Sequence, residues 1–148
     1  MTLGFTTHFP DGQLTRFEQK ILWPYERQVQ FYYPDLLPKI HSFRIGNRWR
    51  AGMKIHMVTG NRTRQRGQFN LDYPQLQVCT GTQECVIRTV NIPMKGFSVE
   101  IDGREVSDLL FMVNDGFDGP DRFFEWFGHL FKSTEHVGQI VHWTDFKY

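Results

Sequence analysis

Apolar residues in the first part of the chain recur at spacings of three and four. Leu14, Phe17 and Ile21 share one face on this period, which predicts a short helix over 15–22. Pro24 disfavours helical geometry in the residue before it, so that helix must end near Trp23. The next segment, 23–38, carries Tyr25, Phe31, Tyr32 and Tyr33, and its pattern fits a second helix or a packed loop equally well. From Lys39 onward the period shortens towards two and sheet begins. Candidate strands cover 40–45, 54–59, where Ile55 and Met57 alternate with His56, and 76–78 and 85–90, which flank a turn at Gly81. Phe97, Val99 and Ile101 alternate into Asp102-Gly103, a hairpin signal because both turn residues tolerate positive φ. Asp118-Gly-Pro120 announces a helix over 121–131, with Phe123, Phe124, Phe127, Leu130 and Phe131 in one core-facing stripe. Residues 139–143 suggest a last strand. Short, largely antiparallel strands interrupted by two or three helices predict an α+β domain around a curved or closed sheet.

The length of 148 residues fits a single domain over 1–148, large enough to bury a core without disulfide or metal staples. No internal repeat, low-complexity tract or linker interrupts it. The ordinary apolar content excludes a disordered chain. No apolar run approaches the roughly 20 residues that span a bilayer, and the first ten residues lack the basic start and apolar run of a signal peptide. A soluble, cytoplasmic protein without a membrane partner is expected.

A net charge of +1 conceals an asymmetry. No acidic residue lies between Asp35 and Asp72, while Lys39, Arg44, Arg48, Arg50, Lys54, Arg62, Arg64 and Arg66 all do. Such a block attracts phosphates whatever the total charge, unless the acidic residues of 100–125 fold over it. Arg44, Arg48 and Arg50 offer forked donors for phosphate, and Trp49 among them offers either a stacking face to a base or a core anchor. Arg62, Arg64 and Arg66 alternate with Thr63 and Gln65, which makes a basic stripe if extended and a solvated loop if not.

Particular residues carry more than these periods. The runs Phe17-Glu-Gln-Lys-Ile-Leu22, Lys39-Ile-His-Ser-Phe-Arg44 and Gly52-Met-Lys-Ile55 follow one another in the order of the signature of ASCH domains, members of the PUA-like superfamily, which the chain resembles. Asn114-Asp-Gly-Phe117, Phe123-Phe-Glu-Trp-Phe127 and the ending Gly138-Gln-Ile-Val-His-Trp-Thr-Asp-Phe-Lys-Tyr148 are similar to the C-terminal part of a phage and gut-bacterial subgroup. The resemblance implies a PUA-like β-barrel with flanking helices, here with an inserted aromatic segment at about 23–38. It also implies a cleft for RNA, single-stranded nucleic acid or a modified nucleoside, formed by Lys39, Arg44, Asn47, Arg48, Trp49, Arg50, Arg62 and Arg64.

Some ASCH proteins are acetylcytidine amidohydrolases, and the resemblance carries their lysine, hydroxyl residue and acidic residue onto Lys39, Ser42 and Asp115. Serine stands for the commoner threonine, and aspartate for glutamate. The chemistry needs a hydroxyl nucleophile, a lysine lowered in pKa as its base and an acid that orients the lysine or protonates the leaving amine. Each has a plainer alternative: a phosphate contact for Lys39, a strand hydroxyl for Ser42, a turn residue for Asp115. A third class, a protein-interaction module, would use the aromatic residues of 23–33. No cofactor is expected. Cys79 and Cys85 are too far apart for a short zinc pair, and a disulfide between them is disfavoured in a reducing compartment. His41, His56 and His142 fit strand positions, and no glycine-rich phosphate loop is present.

Overall fold

The computed structural model describes residues 1–90, 96–127 and 135–148. The architecture is α+β, with two sheets and four α-helices among the described residues. Strand β1 (Thr2–Phe5) pairs in parallel with β3 (His56–Thr59), which pairs antiparallel with the short β4 (Gly67–Gln68). The larger sheet is antiparallel throughout, in the order β2 (His41–Ile45), β8 (Glu135–His142), β5 (Gly81–Val90), β6 (Gly96–Ile101) and β7 (Arg104–Val106).

The periodicities explain several elements. In β6, Phe97, Val99 and Ile101 are buried while the residues between them are not. The turn to β7 holds Asp102 at φ 49° and Gly103 at φ 78°, both left-handed as the hairpin signal requires. β8 lies between β2 and β5, so both its edges are hydrogen-bonded, and every residue from Gly138 to His142 is buried, so that both faces of this part of the strand are covered. Helix α1 (Phe17–Leu22) buries Phe17 and Ile21 and gives way at Trp23, before Pro24. Helix α2 (Arg27–Tyr32) occupies the aromatic segment, and α4 (Pro120–Phe127) buries Phe123 and Phe127. No helix among the described residues is long and apolar enough to cross a membrane.

Several expectations need correction. Sheet does not begin at Lys39, because β1 precedes it; its four residues are too few to declare a period. Gly81 opens β5 instead of making a turn, and its missing Cβ leaves room for Lys147, whose Cε would stand 2.8 Å away. Residues 76–78 give the end of a 3₁₀ turn (Pro74–Leu76) and a single bridge from Val78 to Lys54. Leu14 is exposed, ahead of the helix that was expected to bury it. Helix α3 (Asp108–Asn114) was not foreseen, although Ser107 caps it by accepting a hydrogen bond from the Leu110 N–H. Leu130 and Phe131 lie outside the described residues.

The pairing gives two sheets and no closed ring among the described residues. They nevertheless share one core, in which Phe5 of β1 meets Trp143, just beyond β8, edge to face at 6.2 Å. Backbone hydrogen bonds from Ile55 N to Gln77 O and from Cys79 N to Met53 O, followed by one from Thr80 N to His142 O, lead from one sheet to the other.

Candidate active site

Helix α3 ends in a Schellman motif. The N–H of Gly116 donates to Val113 O at 2.9 Å and that of Phe117 to Met112 O at 3.0 Å, with Gly116 left-handed at φ 90°. Asp115 is thereby held at the C-cap, and glycine is required next to it for a second reason. A Cβ at position 116 would lie 2.9 Å from Cδ of Lys39, so the lysine stem passes where a side chain would have been. Residues 39 and 40 are pinned in turn. Lys39 N donates to Lys20 O, at 3.1 Å, and Ile40 N to Asn114 O, at 3.0 Å.

These constraints bring together two groups 76 residues apart. Lys39 Nζ lies 2.6 Å from Asp115 Oδ1 and also donates to the Asp115 carbonyl, where a cation complements the C-terminus of α3. Both side chains are almost wholly buried, at 2% and 3% exposure. Asp115 Oδ1 also accepts from Phe43 N at 3.2 Å. Burial pushes the Lys39 ammonium down to about 8 against the opposing pull of Asp115, and it raises the Asp115 carboxyl against the opposing pull of Lys39. In both groups the loss of water outweighs the attraction, so each leans towards its neutral form.

Lys39, Ser42 and Asp115 line one cavity of about 410 Å³, walled by Phe5, Phe17, Phe117 and Trp126 and bordered by Arg44. Its volume falls in the usual range of small-molecule sites, about 300–1,000 Å³. The Ser42 hydroxyl has no hydrogen-bond partner among the described residues, and Lys39 Nζ does not contact it. Lys20, also buried, donates to Gly116 O at 2.7 Å and to Asp118 Oδ1 at 2.6 Å, fixing the turn behind Asp115. The ammonium of Lys39 stands 4.9 Å from the centre of the Phe17 ring.

Arg44 forms a partition. Its Nη2 donates to Gly4 O at 2.8 Å, its guanidinium lies 5.5 Å from the Phe5 ring centre, and its buried Nε has no partner. On the far side is a second recess, of about 480 Å³, lined by Arg48, Arg62, Asn61 and Trp49 together with Arg44. Of the eight cations between Lys39 and Arg66, only Lys39 pairs with a carboxylate among the described residues.

The expected basic residues are not all gathered. Trp49 is a correction as a stacking platform: it is 6% exposed and belongs to the core, with its backbone N–H donating to Gln139 Oε1 at 2.7 Å. Arg50 folds back on its own loop, donating to Asn47 O and to Trp49 O. Asn47 lines a different recess with Thr82, Glu84 and Gln139, and Arg64 is exposed in the loop 60–66. Of the aromatic segment, Phe31 and Tyr32 are exposed, while Trp23 donates from Nε1 to Tyr33 O at 3.0 Å.

The cavity walls from Phe5, Phe117 and Trp126 were missed as site residues. Leu3 and Phe5, two apart on either side of Gly4, are the one trace of β1 in the sequence, too short to count as a period. Behind the site His41, with its Nδ1 3.8 Å from Asp115 Oδ1, shares its Nε2 with Tyr148 Oη at 2.7 Å. Burial, reinforced by Lys39, holds His41 well below the usual histidine range, so it is neutral. No group of three or more His, Cys, Asp or Glu among the described residues could hold a metal. No protein-family model, curated protein or solved structure matches the chain.

Proposed function

We propose that this protein is an amidohydrolase acting on an N-acylated nucleoside of the acetylcytidine kind. The observation that carries this reading is the convergence of Lys39, Ser42 and Asp115 on one aromatic-walled cavity. The planar base lies against the aromatic rings. Ser42 Oγ attacks the acyl carbon and passes its proton, through an intervening water, to the Lys39 amine. That amine is accessible near neutral pH because burial lowers its affinity for the proton to about 8. Asp115 orients the lysine. The Arg44 guanidinium faces the developing oxyanion with charge-assisted donors. The amide C–N bond breaks, the leaving amine takes the proton back from Lys39, and water then hydrolyses the Ser42 ester to release the acyl group as a carboxylate.

The ASCH resemblance supports this assignment through the same three residues. On this reading the two sheets are parts of a PUA-like barrel, joined on one side by the backbone bonds between 53–55 and 77–79. A second reading, a module that binds RNA or another single strand without turnover, is favoured by the unpaired cations Arg44, Arg48 and Arg62 around one recess.

Incubation of the purified protein with N4-acetylcytidine, followed by chromatography of cytidine and acetate, tests the enzyme. Turnover is expected to rise with pH to a plateau above about 8, and to be lost in Ser42→Ala without loss of fold. Undiminished turnover in Ser42→Ala removes the nucleophile. No turnover beside an active control removes acetylcytidine as a substrate.

A further inference from the structure

The recess beyond Arg44 is built differently from the cavity it adjoins. Gly4, Arg44 and Ile45 line both, so the two adjoin at the hydrogen bond from Arg44 to the Gly4 carbonyl and at an exposed isoleucine. One side is walled by aromatic rings. The other presents three guanidinium groups, Arg44, Arg48 and Arg62, and no carboxylate among its lining residues. Arg44 holds a buried Nε–H that nothing in the protein accepts. A buried donor left without an acceptor is costly, which marks the guanidinium as held under strain between the two hollows.

The second wall of the recess comes from a turn of defined backbone geometry. Arg62 adopts a left-handed backbone at φ 64°, in a turn where Thr63 Oγ1 donates to Gly60 O at 2.7 Å. The same turn packs onto β1, where a Cβ on Gly4 would lie 3.1 Å from Asn61 Cβ. A non-glycine residue in this conformation persists only where its surroundings impose it. The turn thus brings Arg62 to the lining of the same recess as Arg48.

We infer that this recess is a phosphate subsite, so that the ligand of the adjoining cavity is a nucleotide, its base against the aromatic rings and its phosphate between Arg44, Arg48 and Arg62. The inference rests on the nucleoside-binding reading of the cavity, but it does not require hydrolysis. Planar, forked guanidinium groups match the oxygens of a phosphate and remain charged at any working pH. Arg44 joins the two ends, since it borders both and its charge bears on Lys39 and Asp115.

Calorimetric titration with cytidine and with cytidine 5′-monophosphate tests the subsite. The monophosphate is expected to bind at least about tenfold more tightly, in line with a charge-assisted contact, and raising the salt should erode that preference. Arg48→Gln/Arg62→Gln, two exposed residues without ion pairs among the described residues, should reduce the preference to within about threefold and leave cytidine affinity unchanged. Equal affinity for the two ligands, absence of monophosphate binding, or a preference that survives the double variant overturns the subsite. A 5′-phosphorylated cytidine trinucleotide distinguishes the source of the phosphate. Tighter binding than the monophosphate places it on a strand and weaker binding on a free nucleotide, and both uphold the subsite. If N4-acetylcytidine is not hydrolysed while the arginine-dependent preference persists, the catalytic reading fails and the subsite stands.

Discussion

Lys39→Met and Asp115→Asn, made singly and together, probe the buried pair on which the site is built. Each single change leaves one charge in a place that admits almost no water: Lys39 and Asp115 are 2% and 3% exposed. Removing one partner of a buried pair costs about 3–5 kcal/mol, whereas removing both leaves no uncompensated charge. The double variant should therefore be more stable than the sum of the singles predicts, by about 2 kcal/mol or more, since contacting groups couple. For a chain near 150 residues each single deficit corresponds to a fall in Tm of about 6–20 °C. Urea denaturation at pH 7, with the four proteins compared as a cycle, measures the coupling.

The pH dependence gives a second, independent reading of the same cycle. With Asp115 neutralised, the folded state holds Lys39 below its present value of about 8, so below 8 the folded variant sheds the proton first and the deficit shrinks as the pH rises towards 8, above which wild type and variant gain alike. With Lys39 removed, Asp115 is raised further above its unfolded value, so the folded state takes up the proton and the deficit shrinks as the pH falls towards 4. The two singles should slope in opposite directions. Additive losses within about 0.5 kcal/mol, or two singles each costing under about 1 kcal/mol, would refute the claim that an ion pair holds the cavity together.

Two further outcomes follow from packing and capping. Gly138→Ala would place a Cβ 2.3 Å from the Arg44 carbonyl and 2.8 Å from Phe43 Cε2, forcing β2 away from β8; a loss of at least about 1–3 kcal/mol in chemical denaturation is expected, and a neutral change would contradict that register. Ser107→Ala removes the cap of α3 and should cost about 1 kcal/mol, read as a lower Tm; an unchanged Tm would mean that the cap contributes nothing to fixing Asp115.

Where local chemistry decides conformation, the residues were sufficient. Asp102-Gly103 makes the hairpin and Asp118-Gly-Pro120 starts α4; α1 ends at Leu22 near the expected place, although Trp23, the residue before Pro24, keeps helical dihedrals of φ −48° and ψ −44°. The same holds for β6, whose alternation matches its burial, whereas β2 buries His41, Ser42 and Phe43 in succession. The missed elements, β1 and α3, are short, and β1 gains its hydrogen bonds from a strand more than fifty residues away. No local period encodes such a partner. The basic block was legible as a block, but its division was not. Arg50 turned onto the carbonyls of Asn47 and Trp49, and the Trp49 side chain into the core, while Arg44, Arg48 and Arg62 came to one recess.

By itself the sequence determined an α+β chain with a cationic middle and three residues whose types suit amide chemistry. Only the tertiary structure decided that Lys39 and Asp115 touch, because that contact needs the Schellman turn at Gly116, the anchoring of 39–40 between α1 and α3, and the exclusion of water by surrounding rings. The lowered lysine and the raised aspartate exist nowhere in the composition. They arise from desolvation, which is a property of the packed environment and not of either residue alone.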